Sequence, residues 1–193
     1  IVIMDTGSSD RTLDVARRHT EEVHHFAWRD DFAAARNALW DQIQSGWVLW
    51  LDAGETVSSK TSAGIQELLN TKADPSTAYM LLVKAPTAEG NVDGEEIGQI
   101  RLLRFLPGLR FAGRVRESLL ESVLEHGLQV EGLPYHIDRL PTSITPEIKQ
   151  AKAQRNMALA KLELESTGPT ARLLNCLGEC AQVFGDAEQA VEM

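Results

Sequence analysis

Two short apolar runs in this chain end on carboxylates. Trp47-Val48-Leu49-Trp50-Leu51 passes directly into Asp52, with Glu55 three residues on, and Ile1-Val2-Ile3-Met4 passes into Asp5, with Asp10 following across Thr6-Gly7-Ser8-Ser9. A run of five apolar residues is too short for a helix of its own and suits a strand buried on both faces. In open α/β sheets ligands sit outside the carboxyl ends of the strands, where Asp52 and Glu55 would be presented. Hard cations such as Mg²⁺ or Mn²⁺ take oxygen ligands and in turn hold phosphate, which makes this pair a candidate metal site. The competing reading is an aspartate that caps a helix or closes a turn.

The elements that must position these residues alternate. After Asp5, Gly7 permits an unusual backbone angle and Ser9 or Asp10 can cap a helix over 11–19. A short strand over 23–26 follows, and Asp30 or Asp31 caps a helix over 32–44 whose apolar positions Phe32, Ala35, Leu39 and Ile43 keep helical spacing, with Gly46 ending it. Three strand-helix alternations in the first 55 residues predict a largely parallel sheet with helices on both faces. Ser58 or Ser59 opens a helix to about Asn70. Strands over 79–85 and 99–105 pair antiparallel across a loop with turn signals at Gly90 and Asp93-Gly94. A further strand is predicted over 128–137. Thr145 and Pro146 then start a long helix to about Glu165, carrying Ile148, Met157, Leu159 and Leu162 and ended by Gly168-Pro169. Helices over 171–184 and from about Asp186 read as the start of a repeat array. The expected division is an α/β domain over 1–140 and a helical extension over 141–193.

Bulk composition narrows the function. With 193 residues, 43% of them hydrophobic, the chain can bury one substantial core. A formal net charge of -9 argues against sequence-independent nucleic-acid binding and against docking on an acidic membrane. Cys176 and Cys180 lie four apart in a helix with no second Cys or His pair nearby, as core thiols do. No apolar run approaches ~18 residues and no signal peptide is visible, so a cytoplasmic protein is expected. The chain opens at Ile1 inside a strand and ends in an unfinished helix, as a fragment would. Asp5-Thr6-Gly7-Ser8-Ser9 is also the active-site string of pepsin-like proteases. That chemistry needs two such loops sharing a proton, and only one is present, in α/β rather than all-β surroundings.

Taken together, Asp5-Thr6-Gly7-Ser8-Ser9-Asp10-Arg11-Thr12, Phe32-Ala33-Ala34-Ala35-Arg36-Asn37, Trp47 to Asp52, Arg101-Leu102-Leu103-Arg104 and Arg110 to Glu117 resemble the family 2 glycosyltransferases of GT-A fold. The likeness is to bacterial members followed by tetratricopeptide repeats and spans roughly residues 1 to 165. Asn175, Leu177-Gly178 and Gly185-Asp186 with Ala190 resemble a first such repeat.

The resemblance implies a GT-A, Rossmann-like mixed sheet, mostly parallel, whose first strand precedes Ile1 in the family. It implies metal-assisted, inverting transfer of a hexosyl unit from a nucleotide sugar, a UDP-sugar by expectation, to a glycan, lipid or protein acceptor, with a protein partner at the repeat helices. Asp5 would lie beside the nucleoside, with Asp10 supporting its loop. Arg36 and Asn37 would sit near the diphosphate or brace the metal loop. Asp52 corresponds to the first acid of the metal motif; Gly54 replaces the second, leaving Glu55 to compensate, and His136 would complete the shell. Glu117 would be the base that takes the acceptor's proton. The alternative is a non-catalytic module, descended from such an enzyme, that binds a nucleotide sugar or a protein. A nucleotidyltransferase of related topology would need a Gly-rich phosphate loop before Ile1.

Overall fold

The computed structural model describes residues 1–84, 96–140 and 145–185. In chain order the elements are β1 (Ile3–Asp5), α1 (Thr12–Ala16), β2 (Val23–His25), α2 (Phe32–Trp40), β3 (Trp47–Leu49), β4 (Glu55–Val57), α3 (Ser59–Thr71), β5 (Thr77–Lys84), β6 (Glu96–Arg104), α4 (Leu120–Glu125), β7 (Gln129–Arg139), α5 (Pro146–Thr167) and α6 (Ala171–Val183). The turn signals at Gly90 and Asp93-Gly94, and the repeat positions Asp186 and Ala190, lie outside the described residues.

The chain forms two compact units. One contains Ile1–Ile43, Arg110–Ser118 and the described residues 145–185; the other contains Gln44–Leu109 with Leu119–Ser143, as far as these are described. In the first unit β1 and β2 pair in parallel, Ile3 opposite Val23 and Asp5 opposite His25, the pairing that a βαβ connection through α1 produces. Helix starts follow the capping chemistry of the sequence. Asp31 accepts from the Ala34 N–H at 2.8 Å, Thr145 from that of Ile148 at 3.4 Å and Thr170 from that of Leu173 at 3.3 Å. Asp10 instead accepts from the Thr12 N–H at 2.9 Å, one residue ahead of the helix-flanking Arg11, which makes no side-chain cap. Helices α5 and α6 pack as a pair around Val115, Ala153, Leu159, Ala160, Leu173, Cys176, Leu177 and Cys180. Both cysteines are buried free thiols, and burial pushes the Cys180 thiol up to about 11. Ile148 and Leu162, expected on the apolar side of α5, are exposed; Ala153, Ala160 and the carboxylate Glu163 are buried in their place.

The second unit is a five-stranded sheet in the order β3-β6-β5-β7-β4. The sheet is mixed, as expected, but the balance of directions is not: β5 and β7 are parallel, while β3–β6, β5–β6 and β4–β7 are antiparallel. Strand β5 lies in the middle and buries Ala78, Tyr79, Leu81 and Val83. Helix α3, capped by Ser58 through the Thr61 N–H at 3.1 Å, lays Ile65 and Leu68 on Tyr79, Leu81, Leu102, Leu133 and Ile137. The apolar run that reads as a strand buried on both faces is an edge element. Its ladder stops at Leu49, Leu49 and Leu51 are exposed, and among the described strands it has a neighbour on one side, β6. An edge position halves the coverage a strand receives, whatever its composition. Strand β4 and helix α4 carry no periodic pattern long enough to read from sequence. No helix among the described residues is long and apolar enough to cross a membrane.

Ile137, fully buried and paired with both Val57 and Val83, ties β4 to β5 through β7. Ile137→Ala is expected to lower the unfolding free energy by about 2–5 kcal/mol in urea titration, the range for a truncated core aliphatic.

Candidate active site

Asp5 ends β1, and its carboxylate folds back on the turn that follows. It accepts from the N–H of Gly7 at 3.0 Å and of Ser8 at 3.2 Å, with His25 Nδ1 3.5 Å away. The Gly7 φ of 114° brings its amide toward the carboxylate. Asp5 is buried, and the hydrogen bond from the Ser8 hydroxyl, opposed by desolvation and helped by the Gly7 and Ser8 amides, holds its carboxyl below the usual aspartate value. Asp10, at the far end of the same turn, is held low by Thr12. Asp5, expected beside the nucleoside, here grips the backbone of its own turn.

Residues 112–118 close into a loop. Ala112 and Ser118 exchange both backbone hydrogen bonds at 2.9 Å, and the loop carries Glu117 next to Arg116, whose φ of 54° is left-handed. Two side chains of α2 fasten this loop. Asn37 makes a reciprocal pair with the backbone of Phe111, its Nδ2 donating to the carbonyl at 2.9 Å and its Oδ1 accepting from the N–H at 2.8 Å. Arg36 Nε ion-pairs with Glu117, and both side chains are largely buried, at 19% and 10% exposure. Arg36 also lies over the Phe111 ring, 5.8 Å from its centroid and within the reach of about 6 Å for such a contact. Arg36 and Asn37, expected at the diphosphate or bracing the metal loop, hold the Glu117 loop within this unit.

The Asp52 turn belongs to the second unit, and its centre is an arginine. Arg101 is fully buried on β6. Its Nη1 and Nη2 bind the two oxygens of Glu55 at 2.9 Å each, Nη2 reaches Asp52 Oδ2 at 3.4 Å, and Gln99 and the Trp50 carbonyl accept its remaining N–H groups. Glu55 further accepts from Arg139 Nε at 3.1 Å and from the Asp52 N–H at 2.8 Å. A carboxylate offers about four acceptor positions, and those of Glu55 are filled. Glu55, expected as a metal ligand, is here a buried anion whose acceptor positions are taken by protein donors. His136 does not join Asp52 either. Arg139 pairs with Glu55 in the β4–β7 ladder, and His136 lies three residues back along β7, about 10 Å away on the opposite face of the sheet. Its Nδ1 is 3.8 Å from Glu96 instead. Among the described residues no group of three or more His, Cys, Asp or Glu is arranged to hold a metal ion. Of the three expected ligands only Asp52, its side chain 32% exposed, keeps a presented carboxylate, so the residues here do not fit a divalent-metal shell.

Arg101 is the site residue that the reading of the sequence left without a role. Its signal was present as an Arg between Ile100 and Leu102 inside a strand, where a buried charge demands a counter-charge.

The mixed sheet, the strand-end carboxylate turns and the terminal helical pair define an α/β protein of GT-A type. Residues 1–78 match the model of glycosyl transferase family 2. A TPR repeat-containing protein of Synechococcus elongatus is 29% identical over 144 residues, which cover 75% of this chain and 34% of the relative, so the chain spans about a third of that curated protein. The crystal structure of residues 1–349 of S. aureus TarS superposes with a TM-score of 0.52 at 13% identity, over 94% of this chain and 61% of that one. The same TarS segment in complex with UDP-GlcNAc gives a TM-score of 0.53 at 14% identity, over 94% and 71%. At such identities the likeness is one of fold.

Two outcomes test this geometry. Glu55→Gln leaves Arg101 without its bidentate partner and is expected to cost about 3–5 kcal/mol in chemical denaturation, whereas Asp52→Asn costs under about 1 kcal/mol; Mn²⁺ should not raise the melting temperature of either. For Asp5 the folded pKa is depressed, so its contribution is present above the ordinary value of about 3.9 and lost as pH falls through the folded value. Asp5→Asn is therefore expected to be less stable than wild type at pH 7, with the gap closing below about pH 4 in denaturation curves collected across that range.

Proposed function

We propose that the protein transfers a sugar, with inversion at the anomeric carbon, from a nucleotide-sugar donor to a glycan, lipid or protein acceptor. The observation that carries this reading is the presence, in one unit, of the Asp5 turn and of the Arg36-held Glu117 loop, in a chain whose residues 1–78 match glycosyl transferase family 2. The donor proposed is a UDP-sugar, supported by the shared fold of TarS, a structure of which contains UDP-GlcNAc. Asp5, with Asp10 bracing its turn, is assigned to the nucleoside. Glu117 is assigned as the base: as the acceptor oxygen bonds to the anomeric carbon, Glu117 takes the hydroxyl proton and the nucleoside diphosphate departs with the electrons of the broken bond. Arg36 and Asn37 orient Glu117. No step is routed through a divalent cation, because of the donors expected for it Glu55 is committed to Arg101 and Arg139 and His136 stands apart. The α5–α6 pair is proposed to begin a repeat array that receives a protein partner, in line with the repeat-containing relative.

A second reading, a module that binds nucleotide sugar without turning it over, is favoured by the same commitment of Glu55 and by Gly54 beside it. The two readings separate on turnover. Full-length protein incubated with a panel of nucleotide sugars and candidate acceptors is expected to release nucleoside diphosphate, and Glu117→Gln to lower kcat by roughly 10²- to 10⁴-fold with UDP affinity intact. UDP binding with no release from any donor would support the binding module; a fully active Glu117→Gln would remove Glu117 as the base.

A further inference from the structure

The loop that carries Glu117 is gripped on a second side, by the helical pair. Glu163 of α5 is a carboxylate at 6% exposure, and its Oε2 accepts from the Arg114 N–H at 2.7 Å while its Oε1 ion-pairs with Arg172 of α6. Arg172 in turn donates through Nη1 to the Val115 carbonyl. Arg116 ion-pairs with Glu179, one turn of α6 beyond the core cysteine Cys176. Val115 itself is 2% exposed and sits in the core that α5 and α6 share. So the peptide group between Gly113 and Arg114 is held by Glu163, the one between Val115 and Arg116 by Arg172, and the left-handed Arg116 by its own side chain.

Gly113 shows how tight this grip is. A Cβ there would fall 2.7 Å from Arg172 Nη1 and 2.8 Å from its Cζ, and the Gly113 φ of 102° disfavours any side chain as well. The arginine can reach the Val115 carbonyl because the residue two before it has nothing to put in the way. A buried carboxylate bonded to one backbone N–H and one guanidinium is costly to assemble unless both partners are in place, and here one partner is the loop backbone. A non-glycine residue in left-handed conformation costs about 1 kcal/mol or more and persists where its surroundings over-determine it.

We infer that Glu163 and Arg172 are positioning residues for Glu117, so that the helical pair is a working part of the transferase site as well as the start of a repeat array. This inference rests on the reading of Glu117 as the base. The physical consequence is a division of labour: α2 orients the Glu117 side chain through Arg36 and anchors the loop entry through Asn37, while α5 and α6 fix the backbone angle from which that side chain departs. Losing the second grip would leave the donor's binding residues untouched and misplace the base. A misplacement of about 1 Å at a reacting group can cost on the order of 10²-fold in rate.

The test uses full-length protein and three variants, Glu163→Gln, Arg172→Met and Arg172→Lys, with two readouts. The expected result is a kcat lowered roughly 10- to 100-fold in Glu163→Gln and Arg172→Met, donor KM and UDP affinity unchanged, and partial recovery in Arg172→Lys, which keeps the charge on Glu163 but loses the fork. Amide hydrogen exchange should quicken at residues 112–118 in the first two variants while the amides of α5 and α6 keep their wild-type protection. Exchange unchanged over 112–118, or quickened there with kcat intact, would overturn the inference. So would a loss of kcat accompanied by loss of protection throughout α5 and α6, since that is unfolding of the helical pair. A wild-type protein that binds UDP but turns over no donor would instead defeat the reading of Glu117 as the base.

Discussion

The closure of residues 112–118 is the constraint around which the first unit is arranged. A loop that ends in a left-handed residue followed by an acid has little reason of its own to hold that shape, and here it is bonded to three helices from chain segments far apart in sequence. Arg36 and Glu117 are separated by 81 residues, Asn37 and Phe111 by 74, and Arg114 and Glu163 by 49. Each bond is modest in net free energy, about 1 kcal/mol for a neutral pair and more for a charged one. Together they fix the loop from which Glu117 departs, while Arg36 holds its carboxylate.

The second unit depends on an interaction of a different sort. Arg101 is a full charge removed from water, and the cost of that burial is offset only because Glu55 answers it with both oxygens while Gln99 and the Trp50 carbonyl take the rest of its hydrogens. That arrangement also decides what the Asp52 turn can do. Arg101 and Arg139 set two positive charges against the two carboxylates of the turn, and all four acceptor positions of Glu55 are taken. The turn is thus built on internal cations.

Much of this was legible from local pattern. Asp31, Ser58 and Thr145 cap the helices they precede because a side-chain oxygen three residues before an orphan N–H does the same work in any protein. The parallel pairing of β1 with β2 follows from a strand, a helix and a strand too close together for another route. The two cysteines were readable as core because a helix with a four-residue apolar spacing buries that face. Less legible was exposure. Trp47 to Leu51 has the composition of a central strand and the position of an edge one, and composition does not say how many neighbours a strand acquires.

The sequence by itself determined the alternation of elements, the caps, the placing of Asp5 and Asp52 just beyond apolar strands, and the family resemblance carried by those motifs, since all of these depend on residues within a few positions of one another. Only the tertiary structure decided which charges meet. Glu55 is acidic and lies three residues from Asp52 in the chain, but the partner that holds it is Arg101, 46 residues away. Nothing local in the sequence marks Glu163 or Arg172; the fold brings the backbone of residues 114 and 115 against them. The physical reason is the same in both cases: the role of a carboxylate is set by what desolvates it and what bonds it, and those partners come from other parts of the chain.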